Sequence, residues 1–588
     1  MSGAARAETR FQGAGVSPGI ARGKVHVVRD DLDDVARYRI ERSQIAHEIG
    51  RFEAALIQTR VQILEMQQKI AHSIGAKDAS IFDAHLLVVE DRTLIDEVLR
   101  KLETDLCNVE WVFQEVATKY VETLSKMDDP YLRERALDIQ DVMKRVIHNL
   151  QGKAPKPFLA LTEPHILIAH NLTPSDTATM QKERVLGIAT DLGSRTSHTA
   201  ILARSLNIPA VVGLHNATDI LETGQEVLVD GTNGLIIVDP KPETLAYYGE
   251  LESRRIRVVA KLKELRETKS TTRDGHHIVL SANIELPEDV NAVSEFGAEG
   301  IGLYRTEFLY LNRQTLPSED EQYQTYRRVA ESVAPNPLII RTFDLGGDKL
   351  APGTVEISDE LNPFLGWRAI RFCLENIGIF KTQLRAILRA SAVGNVKLMF
   401  PMISGADELR QAMSILHECR DELRAAGVTM GDAIECGAMI EIPSAAIAAD
   451  ILAHEVDFFS IGTNDLIQYA IAVDRVNERI AHLYEPTHPA VLRLLKMVAD
   501  AAHTNGIWVG VCGEMAGDVA LVPLLLGLGM DELSVAATLV PRVKRAVQSI
   551  TIGESRELLE RVLKLQTPSE VLARCLELAN ARYGDLLG

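Results

Sequence analysis

The sequence predicts an α/β multidomain protein that ends in a TIM (β/α)8 barrel, a ring of eight parallel strands surrounded by helices. Three patterns support this fold class. Apolar residues recur at helical spacing from Asp34 to Leu150. Short apolar strands then alternate with helical segments up to about Pro240. Eight further pairs of strand and helix occupy the C-terminal half, which is the order of elements in a barrel.

The same patterns predict how the domains follow one another. The segment Gly15 to Val28 has strand character and precedes the helices, so we expect the helical module to be inserted into a small α/β domain. A charged helix then leads to the barrel. The expected bounds are residues 10–33 and 151–240 for the α/β domain, 34–150 for the helical module, 241–268 for the linker helix and 269–588 for the barrel.

The helical module is predicted to contain four helices. The first carries an apolar stripe from Ile45 to Ile70 whose members lie mostly three or four residues apart. Three shorter amphipathic helices follow near residues 79–102, 109–125 and 130–150, separated by short polar or glycine-containing breaks. Their charged outer faces are typical of solvated surface.

The small α/β domain is predicted from short apolar strands and a hairpin. Strands are expected at residues 165–170 and 185–190. The domain closes with strands at 226–229 and 235–238, which are joined by a turn over Asp230-Gly231-Thr232-Asn233-Gly234, a strong hairpin signal.

The barrel is predicted from eight strand candidates, each followed by a helical pattern. In order, they span residues 277–283, 300–304, 337–342, 396–401, 437–442, 458–463, 508–513 and 532–536.

Composition narrows the class of function. The 588-residue chain is 46% hydrophobic and 25% charged, as expected for a globular protein, and its net charge of -19 disfavours nucleic acid and anionic membranes as partners. The first ten residues lack an apolar signal core, so we expect a cytoplasmic protein. Its six cysteines are scattered and contain no C-x-x-C pair, which indicates neither a disulfide framework nor a zinc site.

An unusual set of polar residues follows the predicted barrel strands, where barrel enzymes assemble their sites. Arginines in such a set suit a multiply charged anion, because each guanidinium can form two parallel hydrogen bonds to carboxylate or phosphate. Glu441 and Asp465 suit Mg²⁺, which prefers hard oxygen ligands. The implied ligand carries both phosphate and carboxylate. The full set is Asn283, Arg305, Arg341, Asp344, Glu441, Asn464, Asp465, Arg475 and Cys512.

A second candidate site surrounds His198 in the small α/β domain. A strand is expected to end at Thr190, Gly193 can supply an unusual turn, and Thr196 or Ser197 can cap a helix that begins near His198. An imidazole at a helix N-terminus lies where free N–H groups favour an anion. A lone histidine in this position is more often structural, but the phosphate-type residues in the barrel favour a nucleophile that accepts a phosphoryl group.

At this point the residues resemble a known family, Enzyme I, the phosphoenolpyruvate-protein phosphotransferase of the bacterial sugar phosphotransferase system. The similarity runs from Ser17-Pro18-Gly19-Ile20-Ala21 nearly to the end of the chain. Its most specific stretches are Ser194 to Thr199, Gly300 to Leu309, Asn362 to Arg368, Phe459 to Leu466 and Val511 to Glu514.

The resemblance implies a mechanism and partners. Phosphoenolpyruvate would bind at the barrel through Arg305, Arg341, Asn464, Asp465 and Arg475, with Mg²⁺ held by Glu441 and Asp465. His198 would accept the phosphoryl group and pass it to the histidine of HPr, a small carrier protein that docks on the helical module. Cys512 would protonate the enolate to give pyruvate. The histidine domain would swivel between barrel and carrier, and the barrels would pair as a homodimer.

Two departures and two alternatives accompany this interpretation. Ser194 replaces the glycine usual in the family, and residues 350–360 differ from the common family sequence. A dikinase of the related pyruvate phosphate dikinase group would need an ATP-binding domain, and the helical segment has no glycine-rich phosphate loop. A catalytically inactive scaffold would have lost site residues, whereas all of those named above are present.

Overall fold

The computed structural model describes residues 8–28, 35–73, 81–126, 130–152, 163–173, 180, 184–193, 197–206, 208–310, 315–346, 362–475, 477 and 479–587. The chain divides into two compact units, Met1–Arg254 and Arg255–Gly588. Within the described ranges, no helix combines the length and apolar character needed to cross a bilayer.

The first unit contains an eight-stranded mixed sheet with apolar cores on both faces. Neighbouring strands follow the order β1-β8-β7-β3-β4-β5-β6-β2, with β3 to β6 parallel and the outer pairs antiparallel. The predicted strands and hairpin are confirmed. The strands are β1 Thr9–Gln12, β2 Ala14–Ser17, β3 Ile20–Val28, β4 His165–Ala169, β5 Val185–Thr190, β6 Ala210–Val212, β7 Glu226–Asp230 and β8 Leu235–Val238.

The helical module is inserted between β3 and β4, as predicted, and its first helix covers the expected apolar stripe. The segment predicted as one helix near residues 79–102 is two helices, because Asp91 caps a new helix by accepting hydrogen bonds from the N–H groups of Thr93 (2.7 Å) and Leu94 (3.4 Å). The described helices are α1 Ile45–Ser73, α2 Ile81–Val89, α3 Arg92–Asp105, α4 Val109–Ser125 and α5 Pro130–Leu150.

Among the described residues, the connections of this unit also contain two short helices and one long helix. These are α6 His198–Ser205, α7 Ala217–Ile220 and the linker helix α8 Pro242–Glu264. Leu245, Tyr248 and Leu251 in the first half of α8 pack against the sheet of the first unit. Val258 and Leu262, which belong to the second unit, pack against the core of the barrel. The linker helix therefore has an apolar face in each unit.

The second unit is a closed barrel of eight parallel strands, as predicted. Every strand lies within two residues of its expected position. Side chains alternate between the two faces of each strand. The inward ones, such as Met399, Met439 and Phe458, form an apolar interior. The outward ones are covered by the surrounding helices. The strands are β9 Val279–Ile284, β10 Ile301–Tyr304, β11 Leu338–Arg341, β12 Val396–Phe400, β13 Cys436–Ile440, β14 Phe458–Ile461, β15 Trp508–Val511 and β16 Glu532–Ala536.

Helices surround the barrel and are amphipathic where they face it. Because each parallel strand must return to the same end of the sheet, a helix or loop follows every strand. The helices are α9 Val290–Glu295, α10 Glu319–Val333, α11 Ala369–Glu375, α12 Ile377–Ala390, α13 Ala406–Ala425, α14 Pro443–Ile447, α15 Ala449–Leu452, α16 Thr463–Ile471, α17 Pro489–Thr504, α18 Val522–Leu528, α19 Val540–Gln548, α20 Ile552–Val562 and α21 Pro568–Tyr583.

Candidate active site

The predicted barrel residues lie together at the carboxyl ends of the strands. Since all eight strands run in one direction, the residues that end them or directly follow them share one rim. A cavity of about 710 Å³ opens at this rim, and its lining includes Asn283, Arg305, Asn464 and Cys512. Arg341, Glu441, Asp465 and Arg475 lie outside that lining and form a connected group of charges beside it.

Arg341, the last residue of β11, is the centre of a buried ion-pair network. Its guanidinium lies 3.0 Å from Glu307 Oε1 and 3.1 Å from Asp344 Oδ2. Asp344 also accepts two parallel hydrogen bonds from Arg368, at 2.9 and 2.8 Å. The Glu307 carboxylate accepts a further hydrogen bond from the Asp344 N–H at 2.7 Å. Each group is thereby fixed by at least two partners.

The ionisation of this network follows from its partners. Burial opposes charge on Arg341, but the carboxylates of Glu307 and Asp344 outweigh it, so the pKa of Arg341 lies well above its ordinary value. Burial likewise disfavours a charged Asp344, but Arg341 and Arg368 outweigh that cost and lower the pKa of the Asp344 carboxyl. Both groups remain charged at neutral pH.

Two further carboxylates, Glu441 and Asp465, lie beside this network at the mouth. Glu441 directly follows β13, and its Oε1 accepts a hydrogen bond from the Met402 N–H at 2.6 Å. Burial, together with the charges of Asp465 and Asp344, raises the pKa of Glu441 to about 8. Asp465 lies 3.9 Å from Arg368 and 3.7 Å from Arg475. Two acidic groups in one buried place repel each other unless a cation balances them.

This pair of carboxylates fits a hard divalent cation. Within the described residues, Oδ1 of Asp465 is buried and accepts no hydrogen bond. In the same part of the chain, no three His, Cys, Asp or Glu side chains gather as a metal-binding group. Mg²⁺ suits such a pair, because it keeps several positions for water and substrate oxygens.

Asn464, in the first turn of α16, and Arg475, just after that helix, lie next to this pair. The Asn464 side chain accepts a hydrogen bond from the Glu514 N–H at 2.9 Å and donates one to Glu514 Oε1 at 3.3 Å. Arg475 is held through its backbone, whose N–H donates to Gln468 Oε1 at 3.2 Å. The Arg475 guanidinium is about one-third exposed and therefore accessible to a ligand.

Cys512 directly follows β15 and is buried at the cavity wall. Its carbonyl oxygen accepts a hydrogen bond from Asn283 Nδ2 at 3.0 Å, and Asn283 in turn accepts one from the Ser534 hydroxyl at 2.6 Å. Burial raises the pKa of the Cys512 thiol to about 11. Cys512 therefore keeps its proton at neutral pH, as a proton donor must.

The described residues on either side of positions 194–196, before His198, have the predicted backbone. Strand β5 ends at Thr190, Gly193 has a φ of +117° that a side chain would oppose, and Ser197 is the N-cap of α6. His198 is the first residue of that helix. Its imidazole, and the whole of Ser194, Arg195 and Thr196, lie outside the described residues, as does the segment 350–360.

The structure adds two residues that the sequence analysis did not select. Arg368 and Glu307 join the network through Asp344 and Arg341. Glu307 lies three residues after β10, as Asp344 does after β11, whereas Arg368 lies far beyond the end of β11. Both fall inside the stretches that carried the family resemblance, which was the available signal.

Comparison with known proteins gives matches along almost the whole chain. Three family models of phosphoenolpyruvate-utilising enzymes match: the N-terminal model over residues 12–135, the mobile domain over 161–234 and the phosphoenolpyruvate-binding domain over 259–552. The phosphoenolpyruvate-protein phosphotransferase of Bacillus subtilis (strain 168) is 46% identical over 564 residues, which are 96% of this chain and 98% of that protein. The protein of the same name from Geobacillus stearothermophilus is 46% identical over 573 residues, with 97% and 98% covered.

One solved structure is also similar to part of the chain. A solution structure of an Enzyme I protein is 41% identical and covers 41% of this chain and 98% of its own, with a TM-score of 0.35.

The fold and the rim of charged residues define a class of protein, and the matches show it: the chain is a phosphoenolpyruvate-utilising enzyme. Within that class, its identity and coverage are high enough to assign one family. The chain belongs to the phosphoenolpyruvate-protein phosphotransferases, a family of transferases that act on histidine.

The ion-pair network predicts a large stability effect at Asp344. In Asp344→Asn, Arg341 and Arg368 would lose their shared counter-charge inside the protein. We expect the free energy of unfolding of the barrel to fall by about 3 kcal/mol, measured by denaturant titration. Glu285→Gln is the matched control, because it removes an exposed partner of Arg305 (2.6 Å) and should cost about 1 kcal/mol or less. Equal losses in the two variants would contradict the assigned importance of the buried network.

Proposed function

We propose that this enzyme transfers the phosphoryl group of phosphoenolpyruvate to its own His198, releases pyruvate, and then phosphorylates a histidine of an HPr-type carrier protein. This is the first step of the sugar phosphotransferase system. The observation that carries the proposal is the convergence of guanidiniums, carboxylates and one thiol at the mouth of the barrel. Those groups match an anion with both phosphate and carboxylate groups.

In this proposal, Arg305, Arg341 and Arg475 bind the substrate anion together with Asn464 and Asp465. Arg341 is preorganised by its two carboxylate partners, and its buried Nε finds no acceptor among the described residues, so it has donor capacity left for a ligand. Arg305 lines the cavity, and Arg475 is partly exposed beside Asp465. Fixed guanidiniums hold the transferring group without reorganising during the reaction.

Phosphoenolpyruvate-utilising enzymes need a divalent metal ion, and we propose that it is Mg²⁺, held by Glu441 and Asp465. When bound, the ion would offset negative charge on the phosphoryl group. The donor set supports the proposal, because both ligands are carboxylates and one of them has an unbonded buried oxygen. Arg368 and Arg475 contact Asp465 and help to hold its carboxylate in place.

The transfer itself is a substitution at phosphorus. A ring nitrogen of His198 forms a bond to phosphorus while the bond from phosphorus to the enol oxygen breaks, which leaves the enolate of pyruvate. The Cys512 thiol then gives its proton to the enolate carbon, and the resulting thiolate regains a proton from water. The raised pKa of Cys512, about 11, supports this role because the thiol is protonated before each turnover.

The carrier is proposed to dock on the helical module. Exposed apolar side chains on α1 and α2, namely Ile57, Val61 and Leu87, support a protein-binding surface there. We also propose that the barrels pair as a homodimer, and exposed Ile447, Ile451 and Met497 on the barrel helices are consistent with such pairing. The reaction is proposed to take place in the cytoplasm.

The first test of the proposal is His198→Ala. Phosphoryl transfer to the protein and to the carrier should be abolished, because no nucleophile remains, whereas phosphoenolpyruvate binding should be unchanged. Acid-labile protein phosphate and equilibrium binding are the measurements. His503→Ala, which removes an exposed imidazole from the barrel, should retain normal transfer. Carrier phosphorylation at the normal rate by His198→Ala would overturn the assignment.

A second test concerns Cys512. In Cys512→Ala, pyruvate formation should slow by about 100-fold or more, because the enolate loses its positioned acid. Cys575→Ala is the matched control: it removes another buried thiol of the barrel core, far along the sequence in α21. Stopped-flow detection of pyruvate distinguishes the two variants. An unchanged rate in Cys512→Ala would remove Cys512 from the acid role.

A further inference from the structure

Gln383 is a buried amide behind the strands that carry the substrate arginines. It lies on α12 and is fully inaccessible to solvent, among the apolar neighbours Phe380, Leu384 and Ile387. Burying an amide is costly unless its polar atoms are hydrogen-bonded. Gln383 does not line the cavity, so contact with a ligand does not account for its presence.

The Gln383 amide makes hydrogen bonds to two loops of the site. Its Oε1 accepts from the Phe343 N–H at 3.0 Å, and its Nε2 donates to the Thr306 hydroxyl at 3.0 Å. The orientation of the amide is determined, because a backbone N–H can only donate and must face the oxygen. The Thr306 hydroxyl then donates to the carbonyl oxygen of Arg341 at 3.0 Å.

These bonds connect the arginine-bearing loops to each other. Thr306 follows Arg305 after β10, and Phe343 lies between Arg341 and Asp344 after β11. Gln383, on the outer helix α12, therefore links the Arg305 loop to the Arg341 loop. In the proposed function, the guanidiniums of these two loops bind the same substrate anion. The position of Thr306 is determined from both sides, by Gln383 and by the Arg341 backbone.

The Gln383 amide also belongs to a second set of buried hydrogen bonds, which involves side chains of α10. Nε2 of Gln383 also donates to the Tyr326 hydroxyl at 3.1 Å, and Tyr326 donates to Gln322 Oε1 at 3.1 Å. Gln322 accepts another hydrogen bond from Tyr310 at 3.0 Å. Tyr310 follows the loop after β10, and its ring stacks on Phe343 with the centroids 4.7 Å apart, so this second set of hydrogen bonds also supports the two arginine loops.

We propose that Gln383 is a positioning residue for phosphoenolpyruvate, which sets the spacing between Arg305 and Arg341 through Thr306 and Phe343. This inference rests on the proposed function, since it takes those arginines as substrate ligands. Its consequence is specific: loss of the amide lowers substrate affinity and the rate of His198 phosphorylation, and leaves the transfer from phosphorylated His198 to the carrier unchanged.

The test compares Gln383→Met with Ser391→Ala in the full-length enzyme with Mg²⁺. Gln383→Met retains most of the volume and loses three hydrogen bonds, so the KM for phosphoenolpyruvate should rise about tenfold or more. Ser391→Ala removes a buried hydroxyl just after α12 that bonds to the Leu388 carbonyl oxygen (2.6 Å) and the Gly431 N–H (3.0 Å), outside both arginine loops. It should lower the thermal midpoint, with KM within about twofold of the wild type. Transfer from prephosphorylated enzyme to the carrier should be normal in both.

A third variant keeps the inference testable if Gln383→Met does not fold. Thr306→Val preserves shape and removes the hydroxyl that joins Gln383 to Arg341, so it should reproduce the rise in KM, while Thr306→Ser should restore wild-type values. An unchanged KM in a folded Gln383→Met or Thr306→Val would overturn the positioning role, as would an equal rise in Ser391→Ala. If the wild type itself does not phosphorylate His198, the proposed function fails instead.

Discussion

The charge of Arg341 inside the barrel mouth is the constraint on which the surrounding structure depends. A guanidinium taken out of water is costly unless carboxylates stay close enough to balance it. Glu307 and Asp344 meet that need at 3.0 and 3.1 Å, and Arg368 holds Asp344 with two further hydrogen bonds. The result is a fixed guanidinium whose buried Nε finds no acceptor among the described residues, an arrangement that suits the proposed binding of a phosphoryl group.

The same mouth carries two further acidic groups beside this network. Glu441 and Asp465 are both buried, and burial, together with repulsion from Asp465 and Asp344, raises the pKa of Glu441 to about 8. A divalent cation would relieve that repulsion while it neutralised substrate charge. Substrate and metal ion are thus expected to support each other's binding, because each offsets charge that the protein leaves partly unbalanced.

Most of the fold follows from patterns that are local in sequence. Each barrel strand is a short apolar run with a clear helix after it, so its position could be predicted within two residues. The break between α2 and α3 could not be predicted in this way, because apolar residues continue across it at helical spacing. Only the N-cap at Asp91 divides the two helices. Barrel topology then predicts which residues share the rim.

The pairings at the site depend on distances that no sequence period encodes. Arg368 reaches Asp344 from a loop 24 residues further along, and Gln383 reaches the arginine loops from an outer helix. Such contacts appear only once the strands and helices are assembled. The role proposed for His198 also requires a phosphoryl donor, which the local sequence around a turn and a helix start does not encode.

The central claim is that a phosphoryl group passes from phosphoenolpyruvate at the barrel to His198. Its most direct test is to incubate the intact enzyme with Mg²⁺ and phosphoenolpyruvate labelled in the phosphoryl group, and to map the acid-labile label on the protein by mass spectrometry. We expect stoichiometric label on His198, formed together with pyruvate and discharged when an HPr-type carrier is added. Label on another residue, or pyruvate release without label on His198, would contradict it.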